Sequence, residues 1–288
     1  MKKVICICIM AWMFLLGSAQ AKQAPDETAS KVNNEIPFEL RDGFLIVVQG
    51  RIAKHEDLKF VLDTGATYSV VNRKLAERLS ARRRTGRILN FNKTLAAEFA
   101  EFGEVQFGPI EVHNASLMIA DLENSSHTEQ VDAIIGLDLL CVSKRLLIDY
   151  GARKISFRAG SADLRSDSAQ QIPPFLLMQV MVQGHPMRLL VDSGMRGILF
   201  YEDRLRKMLP NLKLQGERRG VRIGYLQVKQ VSLPGVLLGE RELERTVFLM
   251  KGRPADGLEG IDGYVGTSAL GAQRVEFDFE RNTLALVE

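Results

Sequence analysis

The sequence predicts a mostly β chain built as two related lobes. Three observations carry this expectation. The 288-residue chain repeats itself with a period of about 129 residues. Each copy is a succession of short apolar runs cut by glycines, with one or two stretches of helical periodicity. A small, polar and charged segment separates the copies. Composition agrees: 46% hydrophobic and 25% charged residues exclude wholesale disorder, collagen and a coiled coil. Lys and Arg number 38 against 35 Asp and Glu, a net +3 that gives no reason to expect nucleic-acid binding. Three cysteines do not make a disulfide framework.

The N-terminus reads as an address. Lys2 and Lys3 precede the apolar run Val4 to Gly17, and Ala19-Gln20-Ala21 is a small-residue exit, so residues 1–21 form a signal peptide. The run is 14 residues long, against about 20 for a membrane-spanning helix. Cleavage after Ala21 leaves 267 residues and no stable membrane span. It removes two lysines and no acid, so the charge becomes 36 − 35 = +1. It also removes Cys6 and Cys8, and leaves Cys141 in an apolar stretch as a core residue. The expected location is the periplasm or the outside of the cell. Residues 22–36 read as a flexible leader, 37–158 as the first lobe, 159–171 as a linker and 172–288 as the second lobe.

The repeat can be followed in order. Val48-Gln49-Gly50 returns as Val182-Gln183-Gly184, and Phe60 to Gly65 returns as Leu189 to Gly194. Asp132 to Gly136 returns as Asp262 to Gly266, and Leu147 to Tyr150 as Glu276 to Phe279. Asp63 to Gly136 spans 73 residues and Asp192 to Gly266 spans 74. Gly50 to Asp63 is 13 residues whereas Gly184 to Asp192 is 8. The surplus, His55 to Lys59, is expected in a hairpin loop.

Phe44 to Val48, Phe60 to Leu62, Arg87 to Phe91, Glu104 to Phe107 and Leu117 to Ile119 read as strands. Asn72 to Leu79 reads as a helix from its apolar spacing, with Glu202 to Leu209 as counterpart. Leu137 to Cys141 and Thr267 to Leu270 suggest a short helix after each second glycine.

The chemistry rests on Asp63-Thr64-Gly65 and Asp192-Ser193-Gly194. One such triplet is an ordinary turn. Two, each closing an apolar strand at the same place in a repeat, are not explained that way. Asp at a strand end presents a carboxylate, the hydroxyl of Thr64 or Ser193 braces the turn, and Gly65 or Gly194 permits close approach. If a pseudo-two-fold axis relates the lobes, the two acids meet and share a proton. One can then take a proton from water while the other donates to a carbonyl.

This constellation resembles the aspartic peptidases. VLDTGAT (61–67) and AIIGLDLL (133–140) are similar to the retroviral-type half, and two fused copies are similar to the bilobed pepsin-like enzymes. The resemblance covers about 37–288. It implies two retropepsin-like β-barrel lobes in one chain and an aspartic endopeptidase that hydrolyses peptide bonds. It makes Asp63 and Asp192 the catalytic dyad, with Thr64, Gly65, Ser193 and Gly194 bracing it. Ile135, Gly136, Val265 and Gly266 belong to the loops that buttress each aspartate, and Ala66, Met195 and Arg196 fall at the substrate pocket. Met195-Arg196 departs from the family pattern, which has a small or hydroxyl residue there, and Leu137 stands where retroviral-type enzymes often carry Arg. The alternative is a catalytically weak or inactive relative that binds peptides in the cell envelope.

By position, a hairpin around Arg87 to Val105 is expected over the substrate, with a counterpart around Val221 to Val231. The four histidines, His55, His113, His127 and His185, show no metal-ligand spacing, and no phosphate loop or serine-hydrolase elbow is present. No metal or cofactor is expected. The expected partner of this monomer is an extended peptide or protein substrate. Arg82-Arg83-Arg84 with Arg87, and Arg218, Arg219 and Arg222, read as solvated faces.

Overall fold

Apolar alternation and turn residues divide the chain into short strands, as expected, and long-range pairing gathers them into three sheets. The computed structural model describes residues 34–79, 82–90, 93–124, 130–158, 160–163, 175–212, 214–223, 226–254 and 258–287. The segment read as a signal peptide, Phe91, His127 and most of the expected linker lie outside the described residues. Among those described, no helix is long and apolar enough to cross a membrane.

The first half runs β1 (Glu35–Pro37), β2 (Glu39–Arg41), β3 (Leu45–Ile52), β4 (His55–Leu62), β5 (Val70–Asn72), α1 (Arg73–Arg78), β6 (Arg82–Asn90), β7 (Lys93–Phe107) and β8 (Ile110–Ala120). It continues with β9 (Ala133–Ile135), α2 (Leu137–Leu140), β10 (Arg145–Asp149), β11 (Lys154–Phe157) and β12 (Gly160–Asp163). The second half runs β13 (Leu177–Val182), β14 (His185–Asp192), β15 (Ile198–Tyr201), α3 (Glu202–Met208), β16 (Gln215–Ile223) and β17 (Leu226–Ser232). It ends with β18 (Val236–Leu238), β19 (Arg241–Glu242), β20 (Thr246–Met250), β21 (Gly263–Gly266), β22 (Arg274–Asp278) and β23 (Thr283–Val287).

Two nine-stranded sheets share a pairing scheme. In the first, β4 pairs in parallel with β9, while β5 pairs antiparallel with β9 and parallel with β8. In the second, β14 pairs in parallel with β21, while β15 pairs antiparallel with β21 and parallel with β20. The first sheet closes on itself, because β7 pairs with both β3 and β8. The second stays open among the described residues. A five-stranded sheet, ordered β1-β11-β10-β22-β23, joins the halves. There the repeated segments pair with each other, Leu147 opposite Glu276 and Ile148 opposite Val275. One continuous core takes Ile46 and Phe60 from the first sheet, Ile148 and Phe277 from the five-stranded sheet, and Phe200 and Leu249 from the second.

Local chemistry explains the helices. Asn72 caps α1, its Oδ1 accepting from Lys74 N at 3.0 Å, and Leu75 and Ala76 bury their face. Acids open α3 and basic residues close it, as the helix dipole favours. After Gly266 the expected helix is a single 3₁₀ turn, Thr267–Leu270.

Three details differ from the sequence reading. His55 to Lys59 does not form a loop. It lengthens the first hairpin as part of β4, with Gly50 opposite Leu58 and Ile52 opposite His55 across a bulge. The last two residues of the expected leader, Glu35 and Ile36, belong to β1 and pair with β11. Gly160–Asp163, in the expected linker, adds β12 in parallel to the edge of β8.

A buried polar knot fixes the turn between β9 and α2. Ser69 N donates to both Asp138 carboxylate oxygens at 2.9 and 3.0 Å, and the Ser69 hydroxyl lies 2.6 Å from Asp138 Oδ1. Gly136 N in turn donates to Ser69 Oγ at 2.9 Å. Both side chains are buried, so every bond here replaces water. Burial pushes the Asp138 carboxyl up to about 6, against the hydrogen bonds from Ser69. A raised folded pKa means the native state binds the proton more tightly than the unfolded one. Its contribution is therefore full below the unfolded value of 3.8 and is lost as pH rises through about 6. Asp138→Asn, which stays neutral, should remove this loss. In urea titrations from pH 4 to pH 7 the variant should gain up to about 3 kcal/mol on the parent; parallel pH dependences for the two proteins would contradict the assignment.

Candidate active site

β4 and β14 each deliver an aspartate to the same point. Leu62 at the end of β4 pairs with Ile135, and Asp63 N donates to Ile135 O at 3.0 Å. In β14, Val191 pairs with Val265 and Asp192 with Gly266. The four loop residues named from the sequence thus stand directly beside the two aspartates. Close packing follows. A Cβ on Gly136 would lie 2.8 Å from Ala66 O, and one on Gly266 would lie 2.2 Å from Met195 O.

The two turns interlock. Thr64 N donates to Ser193 Oγ at 3.0 Å, and Ser193 N donates to Thr64 Oγ1 at 3.0 Å. Each hydroxyl then donates across the junction, Thr64 to Val191 O at 3.0 Å and Ser193 to Leu62 O at 2.8 Å. Thr64 and Ser193 are buried. Each of these bonds contributes about 1 kcal/mol net, and losing one partner leaves a buried group unsatisfied at about 1–3 kcal/mol.

The glycines have a specific reason. A Cβ on Gly65 would lie 2.3 Å from Asp192 Cγ, and one on Gly194 would lie 2.6 Å from Asp63 Cγ. Each carboxylate therefore occupies the space a side chain would take on the opposite turn. Each also accepts from its own turn, Asp63 Oδ1 from Gly65 N at 2.9 Å and Asp192 Oδ1 from Gly194 N at 2.7 Å.

The carboxyls of Asp63 and Asp192 are hydrogen-bonded to each other. Burial is the largest influence on both and pushes both up. For Asp192 the negative charge of Asp63 adds to this, and the group lies well above the usual carboxylate range. For Asp63 the hydrogen bonds from Asp192, Gly65 and Ala66 oppose the rise. Acids this close titrate as a pair, and Asp192 is the more strongly raised of the two. Asp63 keeps part of its surface open while Asp192 is buried.

The pair lies at the wall of a cavity of about 230 Å³. Tyr68, Val70, Ile88 and Met118 line it from the first half, and Phe175, Leu190, Leu258 and Tyr264 from the second. Tyr264 OH lies 3.1 Å from Tyr201 OH. Burial, then the neighbouring Tyr201 and the Asp192 charge, keep the Tyr264 phenol protonated far above its ordinary value.

Three residues were expected at the pocket, and Ala66 lines the cavity. Met195 does not: its side chain is buried with Leu190, Leu199 and Tyr264 in a second apolar cluster. Arg196 is exposed, and its charge acts on Glu244. Neither crowds the aspartates. The expected hairpins are β6–β7 and β16–β17. From the first, Ile88 reaches the cavity. Phe99 and Phe102 are buried packing of that hairpin, with Phe99 edge-on to Tyr68 at 5.6 Å. Sequence reasoning missed Tyr68, Ser69 and Asp138. For the last two the signal was polar residues set inside otherwise apolar runs, which burial obliges to find partners.

Among the described residues, one cluster could offer metal ligands, although none was expected from the spacing of the histidines. Glu104, Glu111 and His113, on β7 and β8, bring ligand atoms within 4.8 Å of one another. Glu104 already pairs with Arg51, and His113 Nε2 lies 2.9 Å from Glu111 Oε1.

Comparison with known proteins bears on the half of the chain that holds Asp63. A family model described as Aspartyl protease matches residues 48–139. That stretch contains Asp63, Ser69, Gly136 and Asp138 but not Asp192. No curated protein matches the chain. Among solved structures it is similar to a retropepsin-like aspartic protease from Rickettsia conorii, at 20% identity over 37% of this chain and 77% of that one, with a TM-score of 0.27. An aspartyl protease pattern thus lies on the half of the chain that contributes Asp63.

Proposed function

We propose that the chain is an aspartic endopeptidase in which Asp63 and Asp192 activate a water molecule against a peptide bond. The single observation that carries this is the reciprocal approach of two carboxyls, each lying where a Cβ would be on the other turn. Two carboxyls that share a proton supply an acid and a base at one point without a metal or a covalent intermediate. Asp63 takes a proton from water, and Asp192 gives its proton to the carbonyl oxygen. The tetrahedral intermediate then collapses as a proton passes to the leaving amine, and the pair returns to its starting state.

The two nine-stranded sheets are read as the cores of two lobes related by a pseudo-two-fold axis, with the junction of Thr64 and Ser193 on that axis. The shared pairing scheme supports this, as does the pairing of β10 with β22. The substrate is an extended peptide lying in the cavity between the lobes under the β6–β7 hairpin. The N-terminal segment is read as an export address, so the enzyme works as a monomer in the periplasm or outside the cell.

The reading is tested with the full chain and a mixed peptide library from pH 3 to pH 8. Asp63→Asn and Asp192→Asn should each lower kcat/KM by about 10²–10⁴-fold. Cleavage that survives either change would sink the assignment, and binding without cleavage at any pH would favour an inactive peptide-binding relative. The pH profile of kcat/KM should be bell-shaped, because one proton must be present and only one. Burial raises both carboxyls, so both limbs should lie above the pH expected of exposed aspartates. Gly65→Ala should be as inactive as the Asn variants, because its methyl group displaces the Asp192 carboxyl. An active Gly65→Ala enzyme would contradict the close approach.

A further inference from the structure

The peptidase reading leaves unexplained why one hairpin beside the cavity is so basic. Strand β6 carries Arg82, Arg83, Arg84 and Arg87, all exposed, and forms an edge of its sheet. Arg82 lies 4.0 Å from Glu101. Among the described residues, no carboxylate pairs with Arg83, Arg84 or Arg87.

Register puts Arg82 and Arg84 on the face that turns toward the cavity, and of these Arg82 is the one beside a carboxylate, Glu101. Arg84 stands opposite Phe99, Phe99 opposite Met118, and Met118 opposite Val70. Directly opposed residues share a face of the sheet, so these four form one row across β6, β7, β8 and β5. Met118 and Val70 line the cavity at the inner end of the row. At the outer end the Arg84 guanidinium lies 4.4 Å above the centre of the Phe99 ring. Ile88, four residues along β6 and therefore on the same face, also lines the cavity. Arg83 and Arg87 fall on the other face.

The guanidinium is held in position. The ring supports it from below, and Nη2 donates to Ser116 Oγ at 3.1 Å. Its remaining N–H groups are left for a planar acceptor, which a carboxylate provides. A stacked guanidinium loses less freedom on binding than a free one.

We propose that Arg84 is a specificity-determining residue that selects substrates bearing an acidic side chain where the peptide leaves the cavity past Tyr68. The proposal rests on the peptidase reading for its substrate class. From Met118 to Arg84 is two strand spacings, roughly 10 Å, which an extended peptide covers in about three residues. The preferred Asp or Glu therefore lies about three residues from the side chain that sits against Met118.

The test is a binding measurement separated from catalysis. The full chain carrying Asp63→Asn and Asp192→Asn is titrated into fluorescein-labelled peptides that place Glu, Gln or Lys at one position at a time. Anisotropy should show Glu bound about three- to tenfold more tightly than Gln at one position, an advantage that shrinks in high salt. Arg84→Gln should abolish the preference, and Arg84→Glu should turn it toward Lys, with thermal melting unchanged in both. Equal affinity for Glu and Gln at every position would overturn the proposal, as would a preference that survives Arg84→Gln. The same peptides offered to the unsubstituted chain separate the two readings. Acid-selective binding with no cleavage at any pH removes the peptidase reading and keeps the subsite; cleavage without acid preference does the reverse. A chain that binds no peptide overturns both.

Discussion

The structure depends on a mutual satisfaction that neither half can achieve alone. Thr64 and Ser193 are buried, and each hydroxyl accepts from the other's amide while donating to a carbonyl beyond it. Separated, the two turns would expose or orphan six hydrogen-bonding groups at once, a cost of several kcal/mol. The same junction sets the carboxyls. Gly65 and Gly194 leave open the space that the Asp192 and Asp63 carboxyls occupy. A chemical pair 129 residues apart in sequence is therefore a by-product of how two turns bury their backbones. The site does not have to be held together by the substrate.

The halves repeat each other in pairing but not in chemistry. The polar knot of Ser69 and Asp138 beneath the first turn has no counterpart in the second, where the residue equivalent to Ser69 is the buried Ile198. The second half instead carries Tyr201 and Tyr264, whose hydroxyls face each other beside Asp192. The equivalents of these tyrosines in the first half are Asn72, which caps a helix, and Ile134. Such differences make the two acids unequal. Asp63 keeps an open side, while Asp192 is closed in by an aromatic wall and by the charge of its partner. An uneven environment raises Asp192 further than Asp63.

What could be read from the sequence was local or repeated. The helix after Asn72 was legible because its apolar i, i+4 face is local in the chain, and the structure adds the Asn72 cap. Asp63 and Asp192 were legible because the repeat gave each turn a witness at the same spacing. What could not be read depended on register. His55 to Lys59 alternates no more clearly than a loop, and only pairing with Gly50 and Ile52 makes it strand. Gly160–Asp163 is composed like a linker, yet it finds an open edge on β8. Met195 departs from the family pattern at the position that suggests a crowded pocket, but its side chain points into the core. A residue type shows that a position has changed; it does not show which way the side chain faces. Phe99 is a further case: it is buried on the hairpin, and its ring is what Arg84 lies on.

Electrostatics keep the basic hairpin and the aspartate pair independent of each other. A cation close to two buried carboxyls would draw both toward ionisation and take away the shared proton. Four arginines on the hairpin beside the cavity could have done this. They do not, because what shifts Asp63 and Asp192 is burial, each other and the backbone amides around them. Phe99 and two strand spacings lie between Arg84 and the cavity wall, and Arg84 itself is exposed. At that distance solvent and salt screen its charge, with a Debye length of about 8 Å at physiological ionic strength. The aspartates, in contrast, are desolvated and respond to every polar group they touch. The chain can therefore carry a basic surface and a coupled pair of buried acids in neighbouring parts of the molecule. On the proposed reading, the charge that would select a substrate is kept in water, and the proton that would cut it is kept out of water.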